Sequence, residues 1–95
     1  MDNQEMIRTM NERDKNSLQE LRAKISTIDE LIVRLLEMRV EAAGIIGAIK
    51  KSYDLPIYCP EVEKEKIDYL SNGTKYEGMV ETIWPVIMCY TRSCE

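Results

Sequence analysis

Between Leu18 and Ile49 the apolar positions fall on one face of a long helix. Leu18, Leu21, Ile25, Ile28, Ile32, Leu35, Ala42, Ile46 and Ile49 form the series, and their spacings alternate three and four. One member is missing: the position four after Leu35 and three before Ala42 is Arg39. Its neighbours one turn away, Leu35, Leu36, Ala42 and Ala43, are apolar, so its own helix supplies no carboxylate. A guanidinium keeps its proton, and burying it unpaired costs several kcal/mol. The seam therefore predicts an anion beside Arg39, either from a ligand or from a carboxylate such as Glu63 or one on another helix.

Ser17 and Glu20 form a capping-box pattern that predicts the start of this helix. Residues 1–16 are polar without a sustained period and read as a flexible or extended leader, frayed or briefly helical, ahead of a helical domain over 17–95. Gly44 and Gly47 each cost about 1 kcal/mol against alanine, and on this seam they predict the close approach of another helix. From Ser17 to about Lys51 the helix would run roughly 50 Å, whereas a domain of this size has a radius of gyration of about 12 Å. Apolar seam would be left bare, which predicts an obligate dimer. The segment 52–59, with Pro56, reads as a loop. Pro60 suits the first turn of a second helix, with Glu61 and Glu63 at its positive end, and Ser71-Asn72-Gly73 signals its stop. A third helix is predicted from about Glu77 to Cys94 on the spacing of Val80, Ile83, Trp84, Ile87, Met88 and Thr91, with a kink or 3₁₀ turn at Pro85. No segment reads as a strand. The fold class is all-α, with three helices per chain, one of them very long.

Composition narrows the chemistry. The 95 residues include no histidine, which removes histidine-based acid–base and metal chemistry, and the net charge of −4 argues against nucleic-acid binding. Cys59, Cys89 and Cys94 have no ligand or redox spacing and read as small apolar residues in a reducing compartment. No run has the roughly 18 apolar residues of a membrane span, and no signal-peptide pattern opens the sequence. A cytoplasmic protein without membrane contact is expected, with no metal and no cofactor.

Several polar residues are out of place. Arg39 and Lys50 lie about 16 Å apart along the helix and within about 20° of one face, so two long cationic side chains could grip a small dianion between them. Lys50 could equally be a solvated lysine at the negative end of its helix. Arg22 has no local partner and lies about 25 Å from Arg39 on the same helix. It is a surface residue unless a second, antiparallel chain brings its own Arg22 to Arg39. Glu63 on its own is an ordinary first-turn glutamate. Thr91 and Glu95 share the Trp84–Met88 side of the third helix, where a threonine commonly bonds back to a carbonyl and a glutamate at the helix end commonly faces solvent.

In order, LRAKISTIDELIVRLLEMRVEAAGIIGAIK, PIYCPEVEKEKI and IWPVIMCYTRSCE resemble the three helices of the all-α (AroQ-type) chorismate mutases. The resemblance covers about residues 17–95, and its most specific part is the joint spacing of Arg22, Arg39 and Lys50 with P-I-Y-x-P-E-x-E. It implies an intertwined homodimer whose two sites each receive an arginine from the other chain. By that likeness, Arg39 and the second chain's Arg22 would hold the two carboxylates of chorismate. Lys50 would contact the ether oxygen and a carboxylate, and Glu63 would accept from the ring hydroxyl. Thr91 stands where the family often has serine, and Glu95 where it has glutamine or sometimes glutamate. Two positions depart. Cys59 replaces a frequent aspartate, and Val62 a typical arginine; losing such a charge-assisted hydrogen bond removes about 1.5–3 kcal/mol.

The implied reaction, chorismate to prephenate in aromatic amino-acid biosynthesis, is pericyclic and needs no nucleophile, metal or cofactor. Arg39, Lys50 and Glu95 are the expected catalytic residues; Arg22, Arg39, Lys50, Cys59, Val62, Glu63 and Thr91 are the expected substrate-binding set. An ionised Glu95 would repel the ether oxygen, so activity should rise toward acid pH. Three rival expectations remain. One is an isochorismate-pyruvate lyase on the same fold; another is a helical dimerisation or regulatory module with weak catalysis. The third is a mutase that needs a pathway-enzyme partner.

Overall fold

The structure, a computed structural model, describes residues 2–95, the side chain of Asn3 excepted. Among these residues there are four helices and no strand: α1 (Asn3–Thr9), α2 (Glu12–Ser52), α3 (Pro60–Asn72) and α4 (Glu77–Ser93). The all-α class holds, and the expected count of three helices does not. The additional helix, α1, is capped by Asp2, whose side chain accepts from Glu5 N at 2.8 Å. The start expected at Ser17 is also corrected. Asn11 Oδ1 accepts from Asp14 N at 2.8 Å, and this cap starts α2 at Glu12, leaving the Ser17–Glu20 pattern inside the helix. Strong helix formers and a Glu12–Lys15 ion pair at 3.4 Å carry the polar first turns without any apolar stripe.

The end of α2 is built by backbone geometry. Leu55 N donates to Lys50 O at 2.8 Å and Asp54 N to Lys51 O at 3.4 Å, the two bonds of a Schellman motif. Asp54, at φ 56°, occupies the left-handed position that usually holds glycine. The turn sends the chain back toward Pro60, which opens α3 as expected, with Cys59 as an N-cap that makes no side-chain capping bond. Helix α3 ends where its stop signal lies, and Gly73 N donates to Leu70 O at 3.1 Å. Helix α4 continues through Pro85 and packs against α3.

Contacts divide the chain into two units, Met1–Leu36 and Glu37–Glu95, with the division inside α2. The described residues of the first unit include none that is buried. Its seam is open, with Leu21 57% and Leu35 63% exposed. Among the described residues, the second unit holds every buried side chain: Ala43, Val80 and Met88, together with the polar Ser71 and Thr91. No helix of the described residues is long and apolar enough to cross a membrane.

Candidate functional site

The second unit contains a cavity of about 440 Å³ between the last turns of α2, the start of α3 and the end of α4. Helix α2 contributes Arg39 and Lys50, eleven positions apart. Helix α3 contributes Val62 and Glu63 from its first turn, preceded by the cap residue Cys59. Helix α4 contributes Thr91, Arg92 and Glu95.

Arg39 is half-buried. Its Nη1 donates to the hydroxyl of Thr91, and no carboxylate lies within ion-pair distance of it among the described residues. Thr91 is 3% exposed, and its Oγ1 donates back to Ile87 O at 2.9 Å. The hydroxyl thus accepts from the cation and donates into its own helix. A guanidinium has five N–H donors, so one neutral oxygen leaves most of Arg39 without a partner. The alternative of a Glu63–Arg39 ion pair is not formed.

Lys50 is not a solvated lysine. Its Nζ donates to Glu95 Oε1 at 2.7 Å and to Ile57 O at 2.8 Å, and its side chain is only 20% exposed. Two features produce this. The Schellman turn returns the chain so that the Ile57 carbonyl meets the ammonium. Gly47, one turn before Lys50, lets Glu95 lie directly on α2, where a Cβ would fall 2.6 Å from Glu95 Cα. The close approach expected at the glycines is therefore made by the residues that follow α4. Glu95, expected at the helix end to face solvent or to point at a substrate, has a side chain only 12% exposed in this pair.

Glu63 pairs with Arg92, Nη1 to Oε2 at 2.5 Å. The guanidinium carbon of Arg92 lies 4.2 Å from the centre of the Tyr58 ring. The hydrogen bond that Arg92 donates to Glu63 holds its guanidinium above its ordinary pKa. Sequence reasoning passed over Arg92. Its signal was present, because 88, 91, 92 and 95 follow the i, i+3, i+4, i+7 rule of one helix face.

All the residues singled out from sequence except Arg22 line this cavity. Arg22 is exposed on α2 in the first unit. Four cations, Arg39, Lys50, Lys66 and Arg92, face two carboxylates, Glu63 and Glu95, which leaves a formal surplus of two positive charges. With apolar walls from Ala42, Ile46 and Met88, the cavity suits a small dianion with an apolar body.

Residues 21–95 match the family model described as chorismate mutase type II. The chain belongs to this family. Among curated proteins it is 52% identical over 48 residues to the bifunctional chorismate mutase/prephenate dehydratase of Aquifex aeolicus, a match covering 50% of this chain and 13% of that protein. It is 36% identical over 47 residues to the T-protein of Haemophilus influenzae, covering 50% of this chain and 12% of that protein. It is 42% identical over 43 residues to the T-protein of Enterobacter agglomerans, covering 45% and 12%. The matches thus span about one eighth of the length of these relatives. No solved structure matches the chain.

Proposed function

We propose that this chorismate mutase type II domain rearranges chorismate to prephenate. The observation that carries the reading is Arg39: a half-buried guanidinium with no carboxylate partner, in the wall of a cavity with two surplus positive charges. A substrate with two carboxylates supplies the missing anion and balances the cavity.

The residues would act by position and charge. Arg39 fixes one carboxylate and so holds the flexible side chain over the ring in its reactive conformer. Lys50, pinned by the Ile57 carbonyl, stabilises negative charge that develops on the breaking ether oxygen. Glu95 assists there in its neutral form by donating a hydrogen bond. When ionised it instead occupies Lys50 and repels the ether oxygen. Glu63, held by Arg92, is available to accept from the ring hydroxyl. Cys59 and Val62 line the wall as thiol and apolar contacts rather than as charged donors.

The site is completed by a second copy of the chain in an intertwined homodimer, which contributes its Arg22. The first unit supports this, because a helix with an exposed apolar seam and no buried residue needs a partner to cover it. The bifunctional name of the Aquifex relative supports a pathway-enzyme partner for the domain, fused or separate. A cytoplasmic location fits three thiols left free.

The test is to incubate the purified protein with chorismate, follow the loss of substrate absorbance and identify the product. Prephenate is expected. Release of pyruvate from isochorismate without prephenate formation would replace this reading with a lyase, and no reaction with either substrate would refute it.

A further inference from the structure

We infer that Arg92 is a further substrate-binding residue, a preorganised guanidinium that donates to an oxygen of the same dianion that Arg39 holds. The inference rests on the functional reading above and adds a residue to it.

Three observations carry it. Arg92 lines the cavity with Arg39 and Lys50, so a ligand filling that space meets all three cations. Its guanidinium is held twice, by the Tyr58 ring at 4.2 Å from its carbon and by Glu63 Oε2 at 2.5 Å from Nη1. That leaves four of its five N–H donors outside the Glu63 bond. On the facing turn of α3, Val62 borders the same space and offers no donor at all.

A purely structural role explains the arrangement less well. Each side chain of the pair is only 25% exposed, yet a single bond to Glu63 leaves most of the guanidinium's donors unused on the cavity wall. A planar fork fixed against an aromatic face loses little freedom when an oxyanion arrives, and this is what makes arginine effective as a ligand clamp. Glu63 has a second effect. It neutralises Arg92 when the cavity is empty and keeps the fork in place, so the ligand meets an oriented donor rather than a searching one.

The test combines chorismate binding by calorimetry with steady-state kinetics on the full chain. Arg92→Ala is expected to raise both Kd and KM by about 10- to 100-fold, with a smaller change in kcat. Arg92→Lys keeps the charge but loses the planar fork; it is expected to lose about tenfold and serves if the alanine variant does not fold. Glu63→Gln separates direct contact from mere orientation of Glu63. If Arg92 touches substrate, Arg92→Ala still weakens binding in that background; if it acts only through Glu63, the second change is silent there and the inference is overturned. Wild-type turnover with Arg92→Ala within twofold overturns this inference alone. Wild-type protein that neither binds nor converts chorismate overturns the functional reading together with it.

Discussion

Gly47→Ala tests how the cavity presents its ammonium. The added methyl would lie 2.6 Å from Glu95 Cα and 2.7 Å from Glu95 C, where ordinary contact needs 3.4–4 Å. Backbone on both sides leaves no flexible side-chain end to swing away, so Glu95 must retreat by about 1 Å. Its carboxylate now sits 2.7 Å from Lys50 Nζ, and the same retreat takes that bond to the edge of hydrogen-bonding distance. An ionised Glu95 ties up Lys50 and repels the ether oxygen, so its retreat frees the ammonium, and displacements on this scale change rates by up to about 100-fold. The expected result is a rise in kcat at neutral pH of up to about tenfold, with KM less affected. Alanine favours the helix by about 1 kcal/mol over glycine, which offsets part of an overpacking cost of about 1–3 kcal/mol at this contact, and thermal melting by circular dichroism separates the rate effect from unfolding. A double-mutant cycle completes the test. If the methyl acts by displacing Glu95, Gly47→Ala adds nothing to Glu95→Ala. Wild-type kcat in Gly47→Ala, or full additivity with Glu95→Ala, would refute the reasoning.

Other outcomes follow from the same geometry. Glu95→Gln should raise the rate at neutral pH, because the amide no longer holds Lys50 as an ion partner and can donate toward the ether oxygen; an unchanged or lower rate rejects the role. The bond to Glu63 shifts the Arg92 pKa upward. A raised cation contributes fully below its unfolded pKa and loses the contribution only as pH climbs through the folded value, so the Arg92 shift adds no pH dependence to stability between about 5 and 9. Asp54→Gly should stabilise the fold by about 0.5–1 kcal/mol, because it relieves a left-handed aspartate and removes a negative charge from the C-terminal end of α2; a lower melting temperature would contradict the cap assignment. Arg22→Ala and Arg39→Ala chains, each inactive alone, should recover about a quarter of wild-type activity when mixed and refolded, since one site in each mixed dimer is intact. No recovery would argue against sharing of Arg22.

The sequence made the second unit readable to different depths. Arg39 stood out because a charge interrupted an apolar seam, and Pro60 and Ser71-Asn72-Gly73 marked α3 because backbone chemistry at helix ends is local. Residues 1–16 read only as a leader, frayed or briefly helical, and neither the bounds of α1 nor the true start of α2 was assigned, although Asp2 with Glu5 and Asn11 with Asp14 follow the same three-residue capping spacing as Ser17 with Glu20. Attention to the apolar period favoured the cap nearest the seam, whereas a helix can extend over polar turns on propensity alone. The Lys50–Glu95 contact could not be read because it depends on how closely α4 approaches Gly47, a tertiary distance with no local signature. Arg92 was hidden in a different way. It sits beside Thr91 on a helix whose periodic signal is carried by apolar residues, and its partner Glu63 is far away in sequence.

Thr91 has one hydrogen, and that hydrogen is already committed to the Ile87 carbonyl. Toward Arg39 the side chain can show only lone pairs, so it is polar yet mute as a donor. Whatever ligand oxygen settles beside it must draw its hydrogen bonds from the cations. Trimming the side chain to serine would preserve this one-way polarity. Valine, nearly identical in outline, would turn a methyl toward the guanidinium and leave that edge of it dry and unanswered.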